Sequence, residues 1–151
     1  MLDFSNSKIL IVGDVMLDKY YFGKVDRISP EAPVPIVNIQ KEESRLGGAS
    51  NVANNIVSLG GHSLLCGVIG HDLFGKEIER ISRHKNIDTF LLKTSSPTIT
   101  KARIIGGKQQ IVRVDYEDKS ELNADNKKLF RDTISRILPE YILIYTQEDA
   151  R

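Results

Sequence analysis

The chain has 151 residues, 40% of them hydrophobic and 27% charged, with 21 Lys and Arg set against 20 Asp and Glu. That length suits one globular domain, and the composition excludes disordered, collagen-like and membrane-spanning classes. A formal charge of +1 excludes the strongly basic footprint of a nucleic-acid binder and the polybasic patch of a membrane-surface protein, so neither partner is expected.

The N-terminal segment before Ile9 lacks the basic n-region of a secretory signal, and the apolar run Ile9 to Val12 is too short for an h-region; a cytoplasmic protein is expected. Ile9-Leu10-Ile11-Val12 itself reads as a strand buried on both faces of a parallel sheet, ending at Gly13-Asp14. Ligands of open α/β sheets bind outside the carboxyl ends of strands, which is where Asp14 stands.

Between Tyr20 and Gln40 short apolar pieces, Tyr20-Tyr21-Phe22 and Val34 to Ile39, flank Arg27 to Pro33, and the prolines exclude a helix. The second piece is apolar on both faces of a strand, so a small flap is expected, covered on both sides and lying over something or pairing with a second copy.

After Gly47-Gly48, Ala49, Val52, Ala53, Ile56 and Val57 repeat at helical spacing until Leu59-Gly60-Gly61. Asn51 falls about 170° from the centre of that apolar stripe, in the first turn of the helix. Leu64 to Ile69 forms a second buried strand; the one cysteine, Cys66, lies within it and suits a buried structural thiol in a reducing compartment. Asp72 then stands as N-cap of a helix carrying Leu73, Phe74, Ile78 and Ile81. Strand and helix alternating in this way imply right-handed crossovers and a doubly wound α/β sheet.

Thr98 to Ile105 and Gln109 to Tyr116 read as a hairpin around Gly106-Gly107-Lys108, with Lys101 and Arg103 on one face; the spacing leaves a two- or three-residue loop open. A helix from about Asp125 to Leu138 and a buried-strand pattern from Tyr141 to Tyr145 complete the elements.

Gly70 to Lys76 fits the G-x4-G-K spacing of a phosphate-binding loop, but Glu77 stands where magnesium needs a hydroxyl and Asp72 would repel phosphate, so a capped helix start is the better reading. His62, His71 and His84 are too scattered to ligate a metal, and no metal site is expected. No G-x-S-x-G elbow offers a nucleophile. Asp14 and Asp18, Gly47-Gly48 with Asn51, and Lys101 with Arg103 remain. They fit two readings: turn, helix-start and solvated hairpin positions, or carboxylate and amide groups for sugar hydroxyls with basic residues for a phosphate.

Gly13-Asp14-Val15-Met16-Leu17-Asp18, Arg27 to Pro35 with its Ser-Pro-Glu-Ala-Pro-Val-Pro string, and Gly47-Gly48-Ala49-Ser50-Asn51-Val52-Ala53 resemble the ribokinase-like (PfkB) sugar kinases. The proline-rich string is most similar to the branch acting on D-glycero-β-D-manno-heptose 7-phosphate. Thr100 to Arg103 and Gln109 to Asp115 continue the match, which covers Lys8 to about Asp118.

The resemblance implies a ribokinase-like fold, here its N-terminal, sugar-binding half over residues 1–151, with the segment around 20–40 as a β-lid through which two copies form a homodimer. It implies that Asp14, Asp18 and Asn51 bind sugar hydroxyls, that Gly47 and Gly48 allow close approach, and that Lys101 and Arg103 receive the 7-phosphate. The implied reaction transfers the γ-phosphoryl of ATP, with Mg2+, to the anomeric hydroxyl, a step toward ADP-heptose and the lipopolysaccharide core. In the family the catalytic Asp lies in a Gly-Ala-Gly-Asp motif of the nucleotide-binding half. These 151 residues contain no such motif, so the catalytic base is expected beyond residue 151, no tight nucleotide binding is expected here, and the chain alone should be inactive. The alternatives are a non-catalytic sugar-phosphate-binding or dimerising module, and another PfkB-type sugar kinase.

Overall fold

In the computed structural model, which describes residues 4–146, Ile9, Leu10 and Ile11 are all buried, so β1 (Lys8–Gly13) loses solvent from both faces as a central parallel strand should. β1 pairs in parallel with β4 (His62–Gly70) on one side and β8 (Ile142–Thr146) on the other, and β5 (Asp88–Thr94) adds to β4. The resulting sheet has the order β5-β4-β1-β8.

A second sheet, ordered β3-β2-β6-β7, is built from two hairpins. β2 (Val15–Ile28) and β3 (Pro35–Gly48) pair antiparallel over nearly their whole length, while β6 (Ile99–Gly106) runs parallel to β2 and antiparallel to β7 (Gln109–Tyr116). The flap expected over residues 20–40 is therefore longer, running through 15–48 and sharing its sheet with the second hairpin. The turn between β6 and β7 has two residues, with Gly107 at φ 65°, a conformation that costs glycine little. At the far end Ser29 N donates to Val34 O at 2.8 Å. Ile28, Val34 and Ile39 are exposed there, so the described residues of a single copy leave the tip uncovered.

α1 (Ala49–Ser58) ends in a Schellman turn, Gly61 N donating to Ile56 O and Gly60 N to Val57 O, with Gly60 at φ 89°. α2 (Leu73–His84) begins at Asp72, whose carboxylate accepts from Gly75 N, Thr98 N and the Thr98 hydroxyl at 2.7 to 2.8 Å. One side chain thus caps α2 and ties it to the start of β6.

Ala49 and Ala53 of α1, Ile78 and Ile81 of α2, Ile9, Ile11, Leu65 and Ile69 of the parallel sheet, and Val15, Leu17 and Leu46 of the second sheet form one core cluster. Each fully buried Leu or Ile contributes about 1.5–3 kcal/mol. α3 (Ala124–Ile137) sets Phe130 against Phe90 of β5, ring centroids 6.2 Å apart.

One strand carried no sequence signal and one further expectation needs correction. β5 gave no clear signal, since Asp88-Thr89-Phe90-Leu91-Leu92 lacks an alternation and lies only partly buried at the sheet edge. β8 was expected to be buried, but Ile142, Leu143 and Tyr145 are exposed because among the described residues β8 has only β1 as a neighbour. Among those residues no helix is long and apolar enough to cross a membrane.

Candidate functional site

Directly opposed residues in a sheet share a face, and the registers of β3, β2, β6 and β7 assemble a charged surface from separate stretches of sequence. One row reads Arg45, Asp18, Lys101, Asp115; the next reads Glu43, Tyr20, Arg103, Arg113; Lys41, Phe22 and Ile105 follow. The opposite face carries Leu17, Tyr21, Ala102, Val112 and Val114 and packs partly on α2, where Phe74 meets Tyr116 at 5.7 Å.

Arg103 Nη1 donates to Asp18 Oδ1 at 2.5 Å, both side chains about four-fifths buried. Burial opposes the Arg103 charge, but the Asp18 carboxylate more than offsets it and raises the Arg103 pKa. Tyr20 stacks near Phe22, centroids 6.0 Å apart, and guanidiniums stand on both its flanks, Arg45 Cζ at 4.7 Å and Arg103 Cζ at 5.3 Å. Glu43 accepts from Arg45 at 2.6 Å and pairs with Lys41 at 2.5 Å; hydrogen bonds from Lys41 and Arg45 hold its carboxyl below the usual glutamate range.

A cavity of about 670 Å3 opens beside this face, lined by Asp18, Tyr20, Glu43 and Arg45 of the sheet and by Asn51 and Asn54 of α1. The backbone beside Asp18 is tight. A Cβ on Gly47 would lie 2.7 Å from Asp18 Oδ2, and one on Gly48, at φ 53°, would lie 2.5 Å from the Asp14 carbonyl oxygen. That carbonyl accepts from Ala49 N at 2.9 Å, and the buried Ser50 hydroxyl donates to Gly47 O at 2.6 Å. Bare glycines are what let the α1 N-terminus close against β1 and β2.

Of the residues singled out from sequence, Asp18 and Asn51 line the cavity, Gly47 abuts Asp18, and Arg103 bonds to Asp18. Lys101 shares the row of Asp18 without lining the cavity. Asp14 lines a separate cleft of about 200 Å3 at the ends of β1, β4 and β8, with Gly67, Phe130 and Tyr145. Tyr20, Glu43 and Arg45 were missed. Their only sequence signal is the period-two spacing Asp18, Tyr20 and Glu43, Arg45, which acquires meaning once the β2–β3 register is known.

The match to the pfkB family carbohydrate kinase model extends over residues 6–139. The chain belongs to the pfkB family of carbohydrate kinases. It is 47% identical over 137 residues to the bifunctional protein HldE of Nitratiruptor sp., covering 91% of this chain and 30% of that protein. It is 50% identical over 118 residues to the D-beta-D-heptose 7-phosphate kinase of Bordetella bronchiseptica, covering 78% of this chain and 38% of that protein. The chain thus spans about a third of the length of these relatives. Among solved structures it resembles phosphofructokinase-2 from Escherichia coli, solved with fructose-6-phosphate, at TM-score 0.70 and 17% identity, covering 93% of this chain and 45% of that one. A carbohydrate kinase from Agrobacterium tumefaciens gives TM-score 0.67 at 19% identity, covering 92% and 45%. These likenesses establish the ribokinase-like α/β fold over part of its full extent.

PfkB kinases use ATP and Mg2+. Among the described residues no group of three His, Cys, Asp or Glu could hold a metal by itself. The Gly70–Lys76 loop is closed by Asp72, which takes up the Gly75 and Thr98 amides that a phosphate would need.

Proposed function

We propose that this chain is the sugar-binding part of a heptose 7-phosphate kinase, and that the Asp18–Asn51 cavity receives the sugar. The observation that carries the reading is the convergence on one cavity of the Asp18 carboxylate, the Asn51 amide and the Arg45 guanidinium, with Gly47 against Asp18 and Arg103 bonded to it. Carboxylate and amide oxygens accept from sugar hydroxyls, and guanidiniums suit a phosphate ester. The name of the Bordetella bronchiseptica relative supports heptose 7-phosphate over another phosphosugar, with transfer from ATP to the anomeric hydroxyl on the way to ADP-heptose.

Within this reading the chain's own residues bind and orient. Asp18 is fixed by Arg103, so its second oxygen, beside Gly47, faces the substrate without searching among rotamers. Asn51, exposed on the first turn of α1, offers both an acceptor and a donor to neighbouring hydroxyls. Asp14, in its separate cleft, is assigned to a sugar hydroxyl. Lys101 and Arg103 remain on the phosphate side. The phosphoryl-transfer step itself needs a base and a nucleotide site that these 151 residues do not supply.

The test is a thermal-shift and calorimetric titration of the purified chain with heptose 7-phosphate, beside ATP·Mg2+. Ligand binding to the folded state raises the melting temperature by mass action. Stabilisation by the sugar phosphate alone, with no ATP turnover above background, is expected; turnover by the 151-residue chain, or no response to the sugar phosphate, would refute the assignment.

A further inference from the structure

We propose, resting on the sugar-phosphate reading above, that Lys19 is a positioning residue for Asp18: from the back of the second sheet it clasps Phe74 and Glu77 of α2, and so fixes how the Asp18 carboxylate is presented to the cavity that Asn51 also lines.

Asp18 and Asn51 line one cavity but belong to different parts of the molecule. Asp18 lies on β2, whereas Asn51 lies on α1, which packs on β1 and β4. Between them the chain runs out along β2, back along β3 and through the bare Gly47 and Gly48. Their relation therefore depends on how the second sheet is seated against the helices. Leu17 and Leu46 seat its root in the core. Lys19 stands one pleat further out on the face of Leu17, back to back with Asp18, because successive side chains of a strand leave by opposite faces.

The Lys19 side chain is only 21% exposed. Its ammonium donates to Glu42 Oε2 at 3.1 Å and lies 5.0 Å from the Tyr21 ring centroid and 5.9 Å from that of Phe74. Glu77 follows Phe74 by about one helical turn; Arg80 chiefly holds its carboxyl below the usual glutamate range, and the Lys19 charge adds to that. Glu42 and Tyr21 belong to the sheet itself, so it is Phe74 and Glu77 that carry the contact across to α2. Ordering a lysine stem costs up to about 2 kcal/mol of rotamer freedom, and an exposed partner such as Glu42 returns about 1 kcal/mol at most. The Phe74 ring and the second carboxylate supply the rest, and they do so only while the sheet keeps its place on α2.

The same stretch of α2 holds the sheet elsewhere. Phe74 meets Tyr116 of β7 at 5.7 Å, and the Asp72 cap takes the Thr98 amide just before β6. The Gly70–Lys76 segment, whose spacing fits a phosphate loop, thus serves as a mount for β2, β6 and β7. Glu77, which disqualifies it as a magnesium loop, is one of the groups that Lys19 meets. Lys19 itself does not line the cavity, so any effect it has on a ligand there must pass through β2.

The clasp is tested first without ligand. Nitroxide labels at Lys24→Cys on β2 and Asn55→Cys on α1, both exposed positions, report the seating of the sheet by double electron–electron resonance. The buried Cys66 stays unlabelled, and dilution with unlabelled chain confines the signal to distances within one copy. One narrow distance distribution is expected with Lys19 in place and in Lys19→Arg, which keeps a cation over the ring; Lys19→Met, which keeps only an apolar stem, should broaden it. Calorimetric titration with heptose 7-phosphate then reads the consequence. Lys19→Met should weaken binding about tenfold, within the range of couplings relayed by packed side chains. Lys19→Arg should restore most of the loss, and Glu42→Gln should stay within about twofold. The melting temperature of Lys19→Met should fall by no more than about 4 °C, the shift for about 1 kcal/mol in a chain of this size.

A distribution unchanged by Lys19→Met, failure of Lys19→Arg to keep it narrow, or equal broadening by Glu42→Gln would overturn the clasp, whatever the chain binds. Broadening with undiminished heptose 7-phosphate affinity would overturn its role in presenting Asp18. Broadening in a chain whose wild type binds no heptose 7-phosphate upholds the clasp and removes the sugar assignment instead.

Discussion

Gly47 and Gly48 show how a single residue constrains the site. Gly48 sits at φ 53°, and its missing Cβ is the space taken by the Asp14 carbonyl; a side chain there meets backbone, which cannot swing aside. Gly48→Ala is expected to cost about 1–3 kcal/mol, the range for a strained left-handed residue, measured by urea denaturation. Gly47→Ala differs in kind, because its nearest neighbour is the Asp18 carboxylate. It should reduce sugar-phosphate affinity more than stability, which a titration beside a melt separates. Cys66 is the structural thiol its apolar run suggested: fully buried, with burial pushing its pKa up to about 11.

At the level of an element, the Asp72 cap ties α2 to the start of β6. Burial disfavours the Asp72 charge, but the Thr98 and Gly75 amides and the Thr98 hydroxyl overcome it, and the folded pKa falls below the ordinary value of 3.8. A depressed carboxylate pKa stabilises the fold above its unfolded value and loses that contribution as pH falls through the folded one. Asp72→Ala should therefore cost about 1–2 kcal/mol at pH 7, as loss of a helix cap does. The gap between variant and wild type should narrow below about pH 4, near the unfolded aspartate value; a pH-independent gap would show that charge plays no part. This cap was legible in the sequence, because Asp before an apolar helical repeat is a local signal. Its bonds to Thr98, 26 residues away, were not, since they depend on how β6 is placed.

At the scale of the whole molecule, the lid sheet projects an apolar tip, where Val25, Ile28, Val34 and Ile39 are exposed. We propose that two copies pair through these tips. Sedimentation of the purified chain should give a dimer, and the double change Ile28→Lys with Val34→Lys should give a monomer of unchanged melting behaviour. A wild-type monomer at tens of micromolar, within the range of ordinary weak interfaces, would exclude the lid as a dimer surface.

How much of this was visible beforehand depends on the range of the interaction involved. Local periodicity determined α1, α2, α3, β1 and β4 to within a residue or two, because burying one helix stripe or both faces of a strand leaves a pattern in contiguous residues. The motif around Gly47, Gly48 and Asn51 was visible for the same reason. β5 and the exposure of β8 were not, because an edge strand is defined by which neighbours it lacks. The candidate site follows the same division. Asp18, Asn51, Lys101 and Arg103 could be named from residue type and spacing, but only strand register brings Arg103 onto Asp18, and sets Arg45 and Glu43 beside Tyr20. It also assigns Asp14 to a different cleft. A one-residue slip in β2 against β3 would send those side chains to the apolar face. The amino-acid pattern by itself therefore determined the fold class and the chemistry on offer; which charges meet was decided by the pairing of strands far apart in the chain.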